Sequence, residues 1–367
     1  MAFRYISAQS GTVAPTLTFP APLGSYPGEH VVKLMVRLRS TGLTSTCDAL
    51  AWGDATRIDL KYKDGSDCIS QCRWSTLDFL ARENKSGMSH LPLDLPRANT
   101  TSTTQAFLLE IPFTNPKLRN PMDSIIPIDE LGTLQMSISS TGFVTAPTSW
   151  TAELYAETAV FKNPHLGLRT KIREFGFNSA GEVLVPCDGN LLDALILSCT
   201  LRSSNLQTQI PAGLTVQVDG RDVVMGTQLA TPEMIDCFLG EPVYQPLDAS
   251  SAGGTSFATG QGLMGVQGQT ASGFARIFRT IYHQSLVEMV PAQLAKITAF
   301  GPGAGIASVY VGARFLQPMP DSQVTERRQA LGYAAVSTEI APTNGNGNRD
   351  LKGGDGSKLP RRLLVNS

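Results

Sequence analysis

Alternation of apolar and polar residues dominates this chain and predicts β-strands. In Arg57–Tyr62, every second residue from Ile58 to Tyr62 is apolar, and charged residues occupy the positions between them. This two-residue period is typical of a strand that is buried on one side. Residues 31–38 and 191–201 are dense apolar runs that also predict strands. Further strand candidates occupy residues 105–113, 134–139, 150–161, 214–218, 222–225, 273–282 and 306–315. The pattern predicts an all-β fold class in both halves of the chain.

Three short segments depart from this alternation and predict helices. In Trp74–Glu83 the apolar residues follow a spacing closer to that of a helix, and Ser75 is a candidate N-terminal cap. Residues 128–131 and 233–239 are shorter helical candidates. Turns such as Asp64-Gly65 and Asp219-Gly220 separate several of the predicted strands.

Four pairs of similar segments occur in the same order in the two halves of the chain. The pairs are residues 34–40 with 197–203, 58–65 with 213–220, 76–80 with 234–239, and 153–155 with 308–310. The members of a pair lie roughly 155–165 residues apart, far more than the period of a solenoid. The repeated unit is therefore predicted to be a whole domain.

The repeat and the composition of the two ends divide the chain into five predicted parts. These are an N-terminal arm (residues 1–11), a first jelly-roll domain (12–162), a linker (163–170), a second jelly-roll domain (171–318) and a C-terminal arm or tail (319–367). Residues 327–336 are predicted to form a short helix or an extended arm. The stretch rich in Gly and Asn after residue 341 is typical of a flexible linker.

Composition favours a globular protein with little surface charge. Hydrophobic residues make up 42% of the 367 residues and charged residues 17%, against about 25% charged residues in typical domains. This low charge agrees with a protein that buries much of its surface against neighbours, and equally with an uncharged β protein rich in Ser, Thr and Gly. The net charge of -1 argues against a folded body that binds nucleic acid through its phosphates.

The six cysteines do not form a recognisable metal or redox motif. Cys68 and Cys72 are separated by three residues, whereas redox and zinc-ribbon pairs are usually separated by two. We expect reduced, mostly buried thiols in a protein made in the cytosol. No signal peptide is predicted at the N-terminus, and no apolar run approaches the ~18 residues of a transmembrane helix.

No arrangement of reactive residues points to catalysis. The four histidines lie in separate segments, and no Gly-x-Ser-x-Gly elbow is present. Residues 260–265 match Gly-x-Gly-x-x-Gly, but the flanking strand, helix and acidic residue of a dinucleotide site are not evident. Asp123, Asp129 and Glu130 are interpreted as solvated acids in a turn-rich connection rather than a catalytic pair. The sequence thus predicts no enzyme, no cofactor and no metal site.

This organisation resembles that of a known family. It comprises two repeats, a short helix after the early strands of each, long loops late in each repeat and flexible ends. They are similar to the double jelly-roll major capsid proteins of tailless icosahedral viruses, and most of all to those of the smaller bacteriophages, many of which enclose a membrane. The resemblance covers residues 12–318. It implies two tandem eight-stranded jelly-roll β-sandwiches with short helices in the loops and flexible termini.

The resemblance also implies a structural role in the virion, after synthesis in the host cytoplasm. Three copies would form a homotrimeric, pseudo-hexagonal capsomer, which packs against neighbouring capsomers and penton or minor capsid proteins in an icosahedral shell. The loops at residues 86–104 and 249–273 are candidates for the outer towers. Basic residues near the two ends are candidates for contact with an internal lipid membrane or the genome on the inner face: Arg4, Lys358, Arg361 and Arg362.

Other functions agree with parts of the same pattern. A minor virion protein, at a vertex or in a spike, would have similar sandwiches. A β-sandwich adhesin or carbohydrate-binding protein would need a secretion signal and surface aromatic residues, and aromatic residues are 7% of the chain. A glycoside hydrolase with this fold class would need a pair of acids that the sequence does not bring together.

Overall fold

The computed structural model describes the strands, helices and connections of most of the chain. The described residues are 1–23, 26, 28–41, 49–83, 104–114, 124–141, 143, 145–161, 166–201, 213–224, 243–246, 275–283, 291–300 and 309–330. The helix predicted at residues 233–239 and the loop predicted at 249–273 lie outside these residues, as do residues 86–103 of the other predicted loop.

Strands account for most of the described secondary structure. The first half contains β1 (Ala2–Thr12), β2 (Thr16–Phe19), β3 (His30–Thr41), β4 (Arg57–Tyr62), β5 (Asp67–Arg73), β6 (Thr104–Pro112), β7 (Ile126–Pro127), β8 (Leu131–Ser137) and β9 (Ser149–Ala159). The second half contains β10 (Leu168–Gly176), β11 (Glu182–Pro186), β12 (Leu191–Leu201), β13 (Gly213–Val218), β14 (Arg221–Val224), β15 (Val243–Pro246), β16 (Ala275–His283), β17 (Leu294–Phe300) and β18 (Val309–Pro318). The helices among the described residues are α1 (Ala49–Ala55), α2 (Trp74–Glu83) and α3 (Asp321–Ala330), and a 3-10 turn lies at Ile128–Glu130.

The ends of the chain differ from the predicted arms. β1 pairs with β9 along its length, so its backbone groups are satisfied within the first sandwich rather than in a separate arm. At the other end, α3 follows β18 closely and begins before the predicted helical segment. β10 begins at Leu168, inside the segment predicted as a linker.

Three sheets make up the body of the molecule. The first outer sheet has the strand order β1-β9-β3-β6, with β7 paired to β3. The second outer sheet has the order β11-β17-β13-β14. Between them runs a shared sheet of nine strands, β15-β16-β12-β18-β10-β5-β4-β8-β2.

Each half of the chain builds one sandwich, and the strand order is the same in both. The order β1-β9-β3-β6 corresponds to β10-β18-β12-β16, and β2-β8-β4-β5 corresponds to β11-β17-β13-β14. Three of the four repeated sequence pairs fall on corresponding strands: β3 with β12, β4 with β13, and β9 with β18. The predicted duplication is therefore confirmed at the level of topology, with eight corresponding strands in each sandwich.

Each sandwich has its own apolar core. In the first, Trp52, Trp74 and Trp150 gather around Phe107, and the Trp52 and Phe107 ring centroids lie 4.1 Å apart. These are all three tryptophans of the chain. Most residues of the second core are aliphatic, and Phe315 is an aromatic residue within it. Alternate residues of the facing sheets fill each core, which is the packing expected of a β-sandwich.

Candidate functional site at the junction of the two sandwiches

The two sandwiches are joined through their backbones as well as their side chains. β5 of the first sandwich pairs in parallel with β10 of the second, with Ile172 opposite Ile69. Tyr62 lies on the neighbouring strand, and its hydroxyl donates a hydrogen bond to the Thr170 carbonyl at 2.8 Å. A continuous hydrogen-bonded sheet resists bending between domains, because bending would break its ladder.

Arg73, the last residue of β5, is the most deeply buried cation of the junction. Its side chain is 2% exposed and forms an ion pair with Glu174 of β10. The Glu174 carboxylate also accepts a hydrogen bond from the Arg73 backbone N–H at 3.0 Å. Asp54 lies 3.7 Å from the same guanidinium, which stacks 3.5 Å from the centroid of the Tyr310 ring on β18. Arg73 therefore connects β5 with two strands of the second sandwich.

Helix α2 of the first sandwich packs against the back of the second. A Cβ placed on Gly312 of β18 would lie 2.8 Å from Cγ2 of Thr76, so the absence of a side chain permits this close approach. Ile196 of β12 belongs to the core of the first sandwich, whereas Leu195 belongs to the core of the second. Burial on both faces explains why β12 has an apolar run with little alternation.

Helix α3 is held at the junction by Arg327, whose side chain is 5% exposed. Its guanidinium pairs with Glu130 and donates to the Leu166 carbonyl. Arg169 of β10 lies 3.6 Å from the same Glu130 carboxylate and 2.6 Å from Asp64. The interpretation of Glu130 as a solvated acid is therefore wrong, because two arginines from the second half of the chain bind it.

His30 lies beneath this cluster and is fully buried. Its ring packs edge-on against Phe161, with centroids 5.6 Å apart. Burial lowers the pKa of His30 to about 4, and the positive charge of Arg327 adds to the shift. The imidazole is therefore neutral at physiological pH and has a packing role.

The cysteines described by the structure are buried and are not joined by disulfides: Cys68, Cys72 and Cys187. Burial raises the pKa of Cys68 to about 12 and that of Cys187 to about 11. Thiols with such pKa values are poor nucleophiles. The expectation of buried, reduced thiols is met by these three residues. Cys47 and Cys237 lie outside the described residues, and so does the side chain of Cys199 in β12.

Arg4 is the one predicted contact residue that falls within the described part of the chain. Its guanidinium forms an ion pair with Glu29 at 2.5 Å and lies 4.9 Å from the centroid of the Tyr26 ring. The hydrogen bond from Arg4 lowers the pKa of Glu29. Lys358, Arg361 and Arg362 lie outside the described residues, so their predicted grouping with Arg4 stays a prediction.

Sequence reasoning missed the residues that make the junction. Arg73, Glu174 and Arg327 are ordinary charged residues in the sequence, and each finds its partner about 100 or more positions away. A weak signal existed in β12, where Asp193 interrupts an apolar run. That aspartate is 1% exposed and pairs with Arg314 of β18.

The chemistry of the junction is that of structural ion pairs. Within the described ranges, no group of three or more His, Cys, Asp or Glu side chains is arranged to hold a metal ion. Among the helices that are described, none combines the length and apolar character needed to cross a bilayer. The arrangement joins the two sandwiches through paired backbones and buried ion pairs.

Solved viral structures share this architecture. The STIV major capsid protein aligns with 87% of this chain and 96% of its own, with a TM-score of 0.51 and 11% sequence identity. The structure of Sulfolobus turreted icosahedral virus aligns with 90% of this chain and 96% of its own, with a TM-score of 0.50 and 11% identity. The chain has the double jelly-roll fold. No protein-family model and no curated protein matches its sequence.

The major capsid protein P2 of bacteriophage PM2 aligns with 87% of this chain and 98% of its own. Its TM-score is 0.45 and its sequence identity is 10%. The predicted fold class is confirmed by the two alignments with TM-scores of 0.51 and 0.50. In this double jelly roll the junction is built from the nine-stranded shared sheet, α2 and the arginine ion pairs.

Proposed function

We propose that this protein is a major capsid protein whose homotrimers form the pseudo-hexagonal capsomers of an icosahedral virion. The observation that carries the proposal is the duplicated strand order, with both sandwiches fixed in one shared sheet. Two similar barrels per chain give a trimer six similar faces, and closed symmetric assemblies are the usual form of homo-oligomers. The two solved structures that align with TM-scores of 0.50 or above are a major capsid protein and the structure of an icosahedral virus.

The composition of the chain supports assembly. A shell subunit needs uncharged side walls, because charged residues are depleted at the centres of protein interfaces. Charged residues are 17% of this chain. The described side chains also agree with a structural role. The buried arginines form ion pairs, and the raised thiol pKa values indicate packing rather than catalysis.

Size-exclusion chromatography with light scattering on the purified protein tests the trimer. We expect a stable species near three times 39.3 kDa. A strict monomer that binds glycans would refute the capsid proposal and favour the carbohydrate-binding alternative. A trimer that never forms shells or sheets with other trimers would favour a minor virion protein at a vertex or spike.

The ends of the chain are proposed to contact the inner content of the particle, an internal membrane or the genome. Arg4 is already bound to Glu29, so the basic tail residues Lys358, Arg361 and Arg362 are the stronger candidates. Removing roughly the last 25 residues tests this role, since terminal segments usually tolerate truncation. Trimers that persist while shells fail to form would make the tail a clamp in shell assembly, whereas unchanged shells would remove that role.

A further inference from the structure

The outward face of the first outer sheet carries an exposed aromatic cluster. Phe3 is 62% exposed and Tyr5 is 53% exposed, and both rings pack on Tyr155, with centroids 5.0 Å and 5.6 Å away. Single exposed apolar residues are common on protein surfaces, whereas a contiguous group of rings usually marks a contact surface. The corresponding face of the second sandwich, which is covered, indicates the partner.

The strands of the two sandwiches correspond residue by residue, and two of the repeated sequence pairs give the same register. The last pair places Tyr155 of β9 at the position of Tyr310 of β18. The first pair places Met35 of β3 at the position of Ser198 of β12. Met35 lies opposite Tyr155 in its ladder. Ser198 likewise lies opposite Tyr310, so the two pairs agree.

In the second sandwich, this same face is covered by the first sandwich of the same chain. The guanidinium of Arg73 stacks on the ring of Tyr310, 3.5 Å from its centroid. On neighbouring positions of the face, Ile196 packs in the first core, and Gly312 permits the close approach of Thr76 from α2. Equivalent surfaces are therefore buried in the second sandwich and exposed in the first.

The edges of the sheets show the same difference. Within the chain, β10 lies beside β5 of the other sandwich. In strand order, β1 corresponds to β10 and β14 corresponds to β5. Among the described strands, β1 pairs only with β9, and β14 pairs only with β13, so each has an edge that can accept another strand. β14 also exposes an apolar side chain, Val223, at 44%.

We propose that the outward face of the first outer sheet is covered by the second sandwich of a neighbouring copy, with β14 of that copy beside β1. This contact repeats between copies the junction that exists within each chain. It is head-to-tail, because each copy offers its second sandwich to one neighbour and its first sandwich to the other. Heterologous contacts of this kind form a ring when the rotation closes. The contact rests on the proposed homotrimer, and it names the surfaces that hold the trimer together.

The contact between copies differs in one detail from the junction within the chain. Glu157 occupies the position of Gly312, two residues beyond the corresponding tyrosine on each strand. A side chain at this position excludes an approach as close as that of Thr76 to Gly312. The partner therefore lies further from the strands, and the exposed rings of Phe3 and Tyr5 fill the space between them.

A charge placed in the aromatic cluster of the full chain tests the contact. Tyr5→Glu should weaken trimer association by roughly thirtyfold or more, because it buries an unpaired carboxylate at the centre of an interface. Leu184→Glu on β11 is the matched control, since both side chains are 53% exposed. β11 lies at the opposite edge of its sheet from β14, so the control should remain trimeric. Size-exclusion chromatography with light scattering over a range of concentrations measures both.

A pair of introduced cysteines tests which strands meet. Ala2→Cys on β1 combined with Val223→Cys on β14 should give covalent trimers with a short bis-maleimide, because adjacent strands lie about 4.8 Å apart. Each single variant and the wild-type chain are the controls, and they should stay monomeric on a denaturing gel. Cross-linking of Ala2→Cys to itself would indicate a two-fold contact and overturn the head-to-tail arrangement.

The outcomes separate this inference from the proposed function. Trimers that are lost in Tyr5→Glu and cross-linked between β1 and β14 support both. Trimers that persist in Tyr5→Glu, or that dissociate equally in Leu184→Glu, would overturn the contact and keep the capsomer. A wild-type chain that never forms trimers would refute the capsomer and the contact together.

Discussion

Arg73 shows how a single buried charge can determine the packing of two domains. Replacing it with Ala removes the partner of Glu174, whose side chain is 6% exposed. An uncompensated buried carboxylate destabilises a fold by about 3–5 kcal/mol, so we expect Arg73→Ala to lower the free energy of unfolding by that amount. Urea denaturation measures the change.

Arg37→Ala is the matched control for this substitution. Arg37 also pairs with a glutamate, but its side chain is 44% exposed. Exposed pairs contribute about 0–1 kcal/mol. If the two variants lost similar free energies of unfolding, burial would not determine how much the Arg73 ion pair contributes to stability.

A single residue, His30, makes the free energy of unfolding depend on pH. Its pKa is about 4 in the folded protein and about 6.5 in an unfolded chain. Between these values the unfolded state binds the proton and the folded state does not. The contribution of His30 to the free energy of unfolding is therefore fully present above pH 6.5 and decreases as the pH falls toward 4. The loss amounts to about 3 kcal/mol over that window.

Thermal or urea unfolding at a series of pH values measures this slope, and His30→Gln supplies the comparison. The variant should lose most of the pH dependence between 6.5 and 4, whatever its stability at neutral pH. Acidic groups such as Asp64, whose pKa is lowered to about 2, act below this window. An unchanged slope in the variant would assign the effect to other groups.

At the scale of elements, the contact between α2 and β18 depends on two small features. Gly312→Ala places a Cβ at 2.8 Å from the Thr76 methyl, and overpacking of this kind costs about 1–3 kcal/mol. Thr76→Ser removes that methyl, so the double variant should recover most of the loss. Urea denaturation of the four proteins in this cycle measures the coupling. Strictly additive effects would mean that the two residues do not clash.

Local pattern was enough to predict the elements themselves. The bounds of β4 and α2 agree with the alternating and helical spacing of their residues, because each buries one regular face, and those of β12 agree with its continuous apolar run, which is buried on both faces. The pattern also located three of the four corresponding pairs of segments. β1 was predicted as part of an arm, whereas it pairs with β9 along its length. Its large residues Phe3 and Tyr5 are exposed, so β1 lacks the buried apolar face from which strands are predicted.

The junction could not be predicted in the same way. The parallel pairing of β5 with β10 joins residues about 100 positions apart and leaves no local periodicity. The cluster around Glu130 depends on Arg327, which lies 197 residues further along the chain. Such contacts follow from the relative placement of the sandwiches, which one sequence without relatives does not record.

At the scale of the whole molecule, the shared sheet makes the two sandwiches dependent on each other. Ile172 and Ile196 belong to strands of the second sandwich but pack in the core of the first. Loss of either sandwich would therefore expose apolar surface and buried charges of the other. We expect the full chain to unfold in one cooperative transition, although it has two separate cores.

The distribution of tryptophan allows a direct test of this expectation. All three tryptophans lie in the first core, so their fluorescence reports on that sandwich alone, whereas far-UV circular dichroism reports on strands in both. The urea midpoints from the two signals should coincide. Separate midpoints, with fluorescence changing before or after the dichroism, would show that the sandwiches unfold independently. Of the variants described above, Arg73→Ala should be the first to show separate urea midpoints for the two signals, because it removes the ion pair that joins β5 to β10.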